Sequence, residues 1–93
     1  MDYQEKGNVS KKVLDFNRAR QSLIEELQAI MWYDERADAT SDKALKETLV
    51  HNRDDEKEHA SLLIEWLRRN DPNFNKKLKE ILFKNKEMSE LWD

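Results

Sequence analysis

The sequence predicts an all-α protein: an antiparallel hairpin of two long helices with a short C-terminal helix, dimerising into a four-helix bundle. Three observations carry that prediction. The 93 residues include one Gly and one Pro, which leaves little material for turns or β-hairpins. Apolar residues recur at steps of three and four over two long stretches, the period of a helix face. Only Thr40-Ser41-Asp42 separates those stretches, a connection short enough to force an antiparallel return. The length suits one small domain over residues 1–93. A chain of this size buries only about 60–65% of its unfolded surface, so its own core is thin and self-association is expected.

Residues 1–8 are polar, hold the only glycine (Gly7) and read as a loose arm. The first helix is predicted over 9–39, with a ladder of Val9, Val13, Phe16, Leu23, Leu27, Ile30 and Ala37. Arg20 and Asp34 fill two steps of that ladder. Such a helix spans roughly 45 Å at its rise of about 1.5 Å per residue. Thr40 and Ser41 are good N-cap residues, and Asp42 suits the positive end of a helix. The second helix is predicted over 42–70. Asn70-Asp71-Pro72 stops it, because the residue before a proline avoids the helical region. Asp71 can then cap a third helix over 72–83 with Pro72 at its first position, showing Phe74, Leu78, Ile81 and Leu82 on one face. Residues 84–93 are charged and aperiodic, and read as a disordered tail or linker. There is no internal repeat and no low-complexity segment.

Charged residues make up 40% of the chain and the formal net charge is −3, with acidic and basic residues interspersed. That is the pattern of a solvated helix face. No basic block or aromatic-basic interleaving points to nucleic acid. There is no cysteine, which excludes disulfides, thiolate metal sites and cysteine nucleophiles. Met1-Asp2-Tyr3-Gln4-Glu5 lacks the apolar run of a secretory signal, and no stretch approaches the ~20 apolar residues of a membrane span. A cytoplasmic location, or one inside a cytoplasmic assembly, is expected.

Chemistry is predicted where polar residues interrupt the apolar ladders. In the second helix Leu45, Leu49, Asn52, Glu56, His59, Leu63 and Trp66 follow one another at steps of four and three, so all are expected to face a core. Glu56 and His59 sit where leucine would be expected, and an unpaired buried carboxylate is very costly. Glu26 lies within the apolar stripe of the first helix, and Tyr33 is two turns along the same face. Measured from the turn, Glu26 and Glu56 come level. The predicted site gathers Glu26, Glu56 and His59, with Tyr33 close by. Oxygen and imidazole donors without sulfur suit iron or manganese, and also zinc. Four-helix di-iron carboxylate sites use a Glu from each of two helices and a Glu-x-x-His from each of the other two. This chain holds one of each, and a two-fold dimer would supply the rest. Four carboxylates and two divalent ions would also leave the loaded site neutral. The plainer alternative is a satisfied histidine beside a Glu56 paired to Arg53 or Arg36.

Five blocks carry a resemblance: Glu25-Glu26-Leu27, Trp32-Tyr33-Asp34, His51-Asn52-Arg53-Asp54, Glu56-Lys57-Glu58-His59 and Glu65-Trp66-Leu67-Arg68-Arg69-Asn70-Asp71. Over about residues 20–70 the chain resembles the encapsulated ferritins, the encapsulin-associated ferritin-like proteins. The resemblance implies a ferroxidase with a ferritin-like bundle. A two-helix hairpin would dimerise around two iron ions held by Glu26, Glu56 and His59 of both chains, with Tyr33 beside them. Dimers would close into a ring, typically a decamer, carried as cargo inside an encapsulin nanocompartment. Glu25 and Trp32 match residues lining the family's metal access route. Gln28 stands where the family often has a second acidic residue, so an access site at Glu25, Gln28 and Trp32 is expected to bind metal more weakly here. Many members end in a shell-targeting peptide, and none is visible in Glu87 to Asp93; some members are fused to the shell protein instead.

Other polar and aromatic residues have simpler readings. Trp66 is expected to be core packing, Met31 apolar filler and His51 a surface or interface residue. Two other functions remain open at this point. A helical assembly module could use buried polar residues only to set register, and a di-metal site could scavenge peroxide.

Overall fold

The computed structural model describes residues 6–92. It is all-helical, with no strand among the described residues. The first five residues of the predicted arm lie outside those described, and Lys6–Asn8 form one 3-10 turn. Helix α1 spans Lys11–Ala39, α2 spans Lys43–Asn70 and α3 spans Pro72–Ile81.

Each boundary has a local cause. Ser10 is extended and its Oγ accepts the Val13 N–H at 3.2 Å, which starts α1 two residues later than the ladder predicts. The cap of α2 is Asp42, whose Oδ1 accepts the Leu45 N–H at 2.8 Å. Thr40 is thereby displaced from that role: its hydroxyl accepts the Asp42 N–H at 3.2 Å and braces the cap itself. Asp71 serves two helices. Its N–H donates to the Leu67 carbonyl at the end of α2, and its Oδ1 accepts the Phe74 N–H at the start of α3. Helix α3 stops two residues short of the predicted Phe83, because Leu82 turns extended and Phe83 adopts φ 59°. The tail is more ordered than its composition suggests. Glu87 and Glu90 form a capping box around a 3-10 turn at Met88–Glu90.

The helices are arranged in heptad stripes. On α1 the stripe Phe16, Leu23, Ile30, Ala37 and the neighbouring stripe Ala19, Glu26, Tyr33 are all half-buried or buried. On α2 the deepest stripe is Arg53, Ala60, Leu67; beside it lies Leu49, Glu56, Leu63, half-buried throughout. The next stripe is Leu45, Asn52, His59, Trp66, and three of its four residues are exposed. The single ladder predicted for α2 is therefore two stripes. One faces α1, and the other lies at the open edge of the hairpin. Trp66, expected in the core, is 40% exposed and touches Phe16 edge-on at a centroid distance of 5.9 Å.

Among the described residues only Ala37, Ala60 and Leu67 are buried. A compact protein of 11.2 kDa exposes about 5,700 Å², whereas this chain exposes 7904 Å². Much of the excess is apolar: Leu27, Met31, Leu45, Leu62 and Trp66 are all large and exposed. The hairpin leaves a large apolar surface uncovered. No helix among the described residues is long and apolar enough to cross a membrane.

Candidate metal centre

Glu26 projects from the middle of α1, and Glu56 and His59 from the middle of α2. The short Thr40–Asp42 connection brings these heights level. Ligating atoms of Glu26, Glu56 and His59 all lie within 4.8 Å of one another. His59 Nδ1 stands 3.4 Å from Glu56 Oε2 and 3.6 Å from Glu26 Oε2. Both distances exceed those of a good N–H···O hydrogen bond. The imidazole is poised between two carboxylates without being committed to either.

The electrostatics of this cluster are unbalanced. Glu26 and Glu56 are about three-quarters buried, and Glu26 Oε2 is buried with no hydrogen-bond partner. Among the described residues no lysine or arginine pairs with either carboxylate. The plainer alternative, a Glu56 neutralised by Arg53 or Arg36, is absent. Arg53 instead gives Nη1 to Asp34 Oδ1 at 2.9 Å and Nε to Asp54 Oδ1 at 3.2 Å. The Asp34 contact, then that of Asp54, raises Arg53 above its ordinary pKa, and Arg53 holds Asp54 below its own.

An orphaned buried carboxylate oxygen, a second carboxylate and an imidazole make a donor set that fits a divalent transition-metal ion. Two atoms on one ion at ~2.0–2.2 Å each can stand at most about 4.4 Å apart. A small inward movement of side chains would close the 4.8 Å cluster. His59 lies on the open edge with half its side chain exposed, so the cluster faces outward along one side.

The remaining predicted residues fall into two groups. Tyr33 is half-buried on the same stripe as Glu26, two turns nearer the hairpin turn. Glu25, Gln28 and Trp32 share a separate, outward stripe of α1 and are all exposed, outside the cluster. Glu25 accepts a hydrogen bond from Gln21 Nε2 at 3.1 Å. His51 is an exposed residue 3.4 Å from Asp55 and takes no part in the cluster. The Asp34–Arg53–Asp54 arrangement was not anticipated. Its signals are Asp34 in a ladder position of α1 and Arg53 one turn before Glu56.

Comparison with known proteins gives a consistent result. A family model described as EncFtn-like matches residues 2–85. A Thermotoga maritima protein named "Ferritin-like protein" is 47% identical over 77 residues, covering 83% of this chain and 68% of that protein. A Rhodospirillum rubrum protein named "Encapsulated ferritin-like protein" is 47% identical over 75 residues, covering 81% of this chain and 54% of that protein. The chain thus spans about two thirds of the first relative and about half of the second. A crystal structure of a Nitrosomonas europaea protein superposes with a TM-score of 0.88 at 48% identity, covering 95% of this chain and 97% of that one.

Proposed function

The chain belongs to the EncFtn-like family, and from that premise we propose that it is a ferroxidase, oxidising iron(II) to iron(III) with dioxygen at a di-iron centre between two subunits. One observation carries the reading: the Glu26, Glu56 and His59 donors converge with a buried, unpartnered carboxylate oxygen, and among the described residues no lysine or arginine pairs with either carboxylate. The iron ions are substrate here. The carboxylates favour the harder iron(III) product, and positions left free of protein ligands admit dioxygen.

Each chain supplies Glu26, Glu56 and His59, and the second set comes from another copy across a two-fold axis. Four carboxylates then balance two iron(II) ions, which offsets the cost of burying the charge. The exposed edge bearing His59 and Trp66 is the face that the second copy covers. Tyr33 lies beside the centre, while Glu25, Gln28 and Trp32 line the outer approach for incoming iron. The dimers assemble into a ring, for which a decamer is the expectation. The ring resides in an encapsulin nanocompartment that stores the iron(III) product.

Aerobic iron(II) oxidation followed by absorbance tests this reading, comparing wild type with Glu26→Ala and His59→Ala. Both variants are expected to fall to the rate of free iron. Oxidation by both at the wild-type rate would place the site elsewhere. Native mass measurement with and without iron(II) tests the subunit count: two metals per pair of chains are expected.

A further inference from the structure

Arg53 lies three residues before Glu56, one turn away on α2, where side chains at i and i+3 meet. A guanidinium in reach of an unneutralised carboxylate ordinarily pairs with it, often through two parallel hydrogen bonds. This one does not. Its side chain is about three-quarters buried, with Nη1 on Asp34 at 2.9 Å and Nε on Asp54 at 3.2 Å. Both aspartates lie on the turn side of the metal cluster, Asp34 from α1 and Asp54 from α2. Glu26 Oε2 meanwhile stays without any donor.

We propose that Asp34 and Asp54 are positioning residues that hold Arg53 away from Glu56 and Glu26, keeping that carboxylate pair open to a divalent cation. The proposal rests on the metal-centre reading above. With Asp34 neutralised as asparagine, Nη1 keeps only an uncharged amide oxygen in place of a carboxylate, and the guanidinium can turn to the charged Glu56 one turn ahead. An incoming metal must then displace a charge-assisted hydrogen bond from its own ligand. Asp34 therefore raises metal affinity without touching metal. A purely structural ion pair makes a different prediction, since losing Arg53 would then harm the site as much as losing Asp34.

The test is calorimetric titration of iron(II) into the full chain without oxygen. Asp34→Asn is expected to weaken binding by about tenfold, the scale of one displaced charge-assisted hydrogen bond. Arg53→Gln should bind at least as tightly as wild type, and Asp34→Asn combined with Arg53→Gln should return to within about twofold of it. Wild-type affinity in Asp34→Asn, or no recovery in the double variant, overturns the proposal. Asp54→Asn carries the same test if Asp34→Asn does not fold by circular dichroism: a smaller loss, again relieved by Arg53→Gln, is expected, and no loss overturns the idea. Glu56→Ala separates the two levels. Undiminished binding in that variant removes the metal centre and this proposal together. Binding lost in Glu56→Ala but intact in Asp34→Asn removes only the role of the aspartates.

Discussion

Glu26 concentrates the conflict between stability and function in this molecule. Its Oε2 is buried without a donor, and the nearest basic group is an imidazole 3.6 Å away that Glu56 also approaches. Without metal, the site holds an unsatisfied acceptor beside a like charge, which costs on the order of 1–3 kcal/mol. Glu26→Gln removes the charge, keeps the shape and adds two donors. The metal-free variant should therefore melt higher than metal-free wild type, by roughly 4–8 °C for each kcal/mol relieved. Iron(II) added without oxygen should raise the wild-type midpoint and leave that of the variant unmoved. A thermal melt with and without metal reads both effects. A lower metal-free midpoint in Glu26→Gln would mean that the carboxylate is already satisfied.

At the scale of elements, the α2–α3 junction is where charge and capping fix the fold. Glu65 accepts from Arg68 through both carboxylate oxygens and from Arg69 Nε, each at 2.7 Å, and Arg68 reaches on to Asn75 of α3 at 2.8 Å. Hydrogen bonds from Arg68, then Arg69, pull the Glu65 carboxyl down to about 2 from 4.5. A carboxyl whose folded pKa is depressed stabilises the fold above its unfolded value. That stabilisation is lost as the pH falls through the folded value. Glu65→Gln should thus melt below wild type by a constant margin above about pH 5, and the margin should close toward about pH 2. Circular-dichroism melts across that range test it; a margin independent of pH would assign the effect to packing. Asp71→Ala removes a cap and should cost about 1 kcal/mol, seen as a lower denaturation midpoint in urea.

These same elements mark how far the sequence could be read. Helix spans were legible because ladders, Asp42, Asp71 and Pro72 all pointed to the same boundaries. The level placement of Glu26 and Glu56 followed from counting outward from one short turn. Two things were hidden for physical reasons. The α2 ladder from Leu45 to Trp66 mixes a stripe facing α1 with a stripe facing outward, and a helix of the proposed four-helix bundle would have to face two neighbours with one apolar sector. Asp34, Asp54 and, one turn ahead on α2, Glu56 are all candidate acceptors for Arg53 in the sequence, and only its side-chain conformation shows that it takes the two aspartates.

For the whole molecule, the exposed area and the outward-facing candidate metal site point to the same requirement. Leu62 is 64% exposed, three residues after His59 and four before Trp66, so it shares their edge of the hairpin. Its side chain contributes little to the core of one chain. A charge there leaves the hairpin intact and opposes only what covers that edge, where two copies would bring like charges together across the two-fold axis. Leu62→Glu should keep the helical circular-dichroism signal of wild type while its native mass falls to that of a single chain. Glu26, Glu56 and His59 all remain in that chain, yet aerobic iron(II) oxidation should fall to the rate of free iron, because in the proposed function each copy holds only half of the centre. A single-chain species that oxidises iron at the wild-type rate would show that one hairpin suffices, and the shared di-iron centre would have to be abandoned.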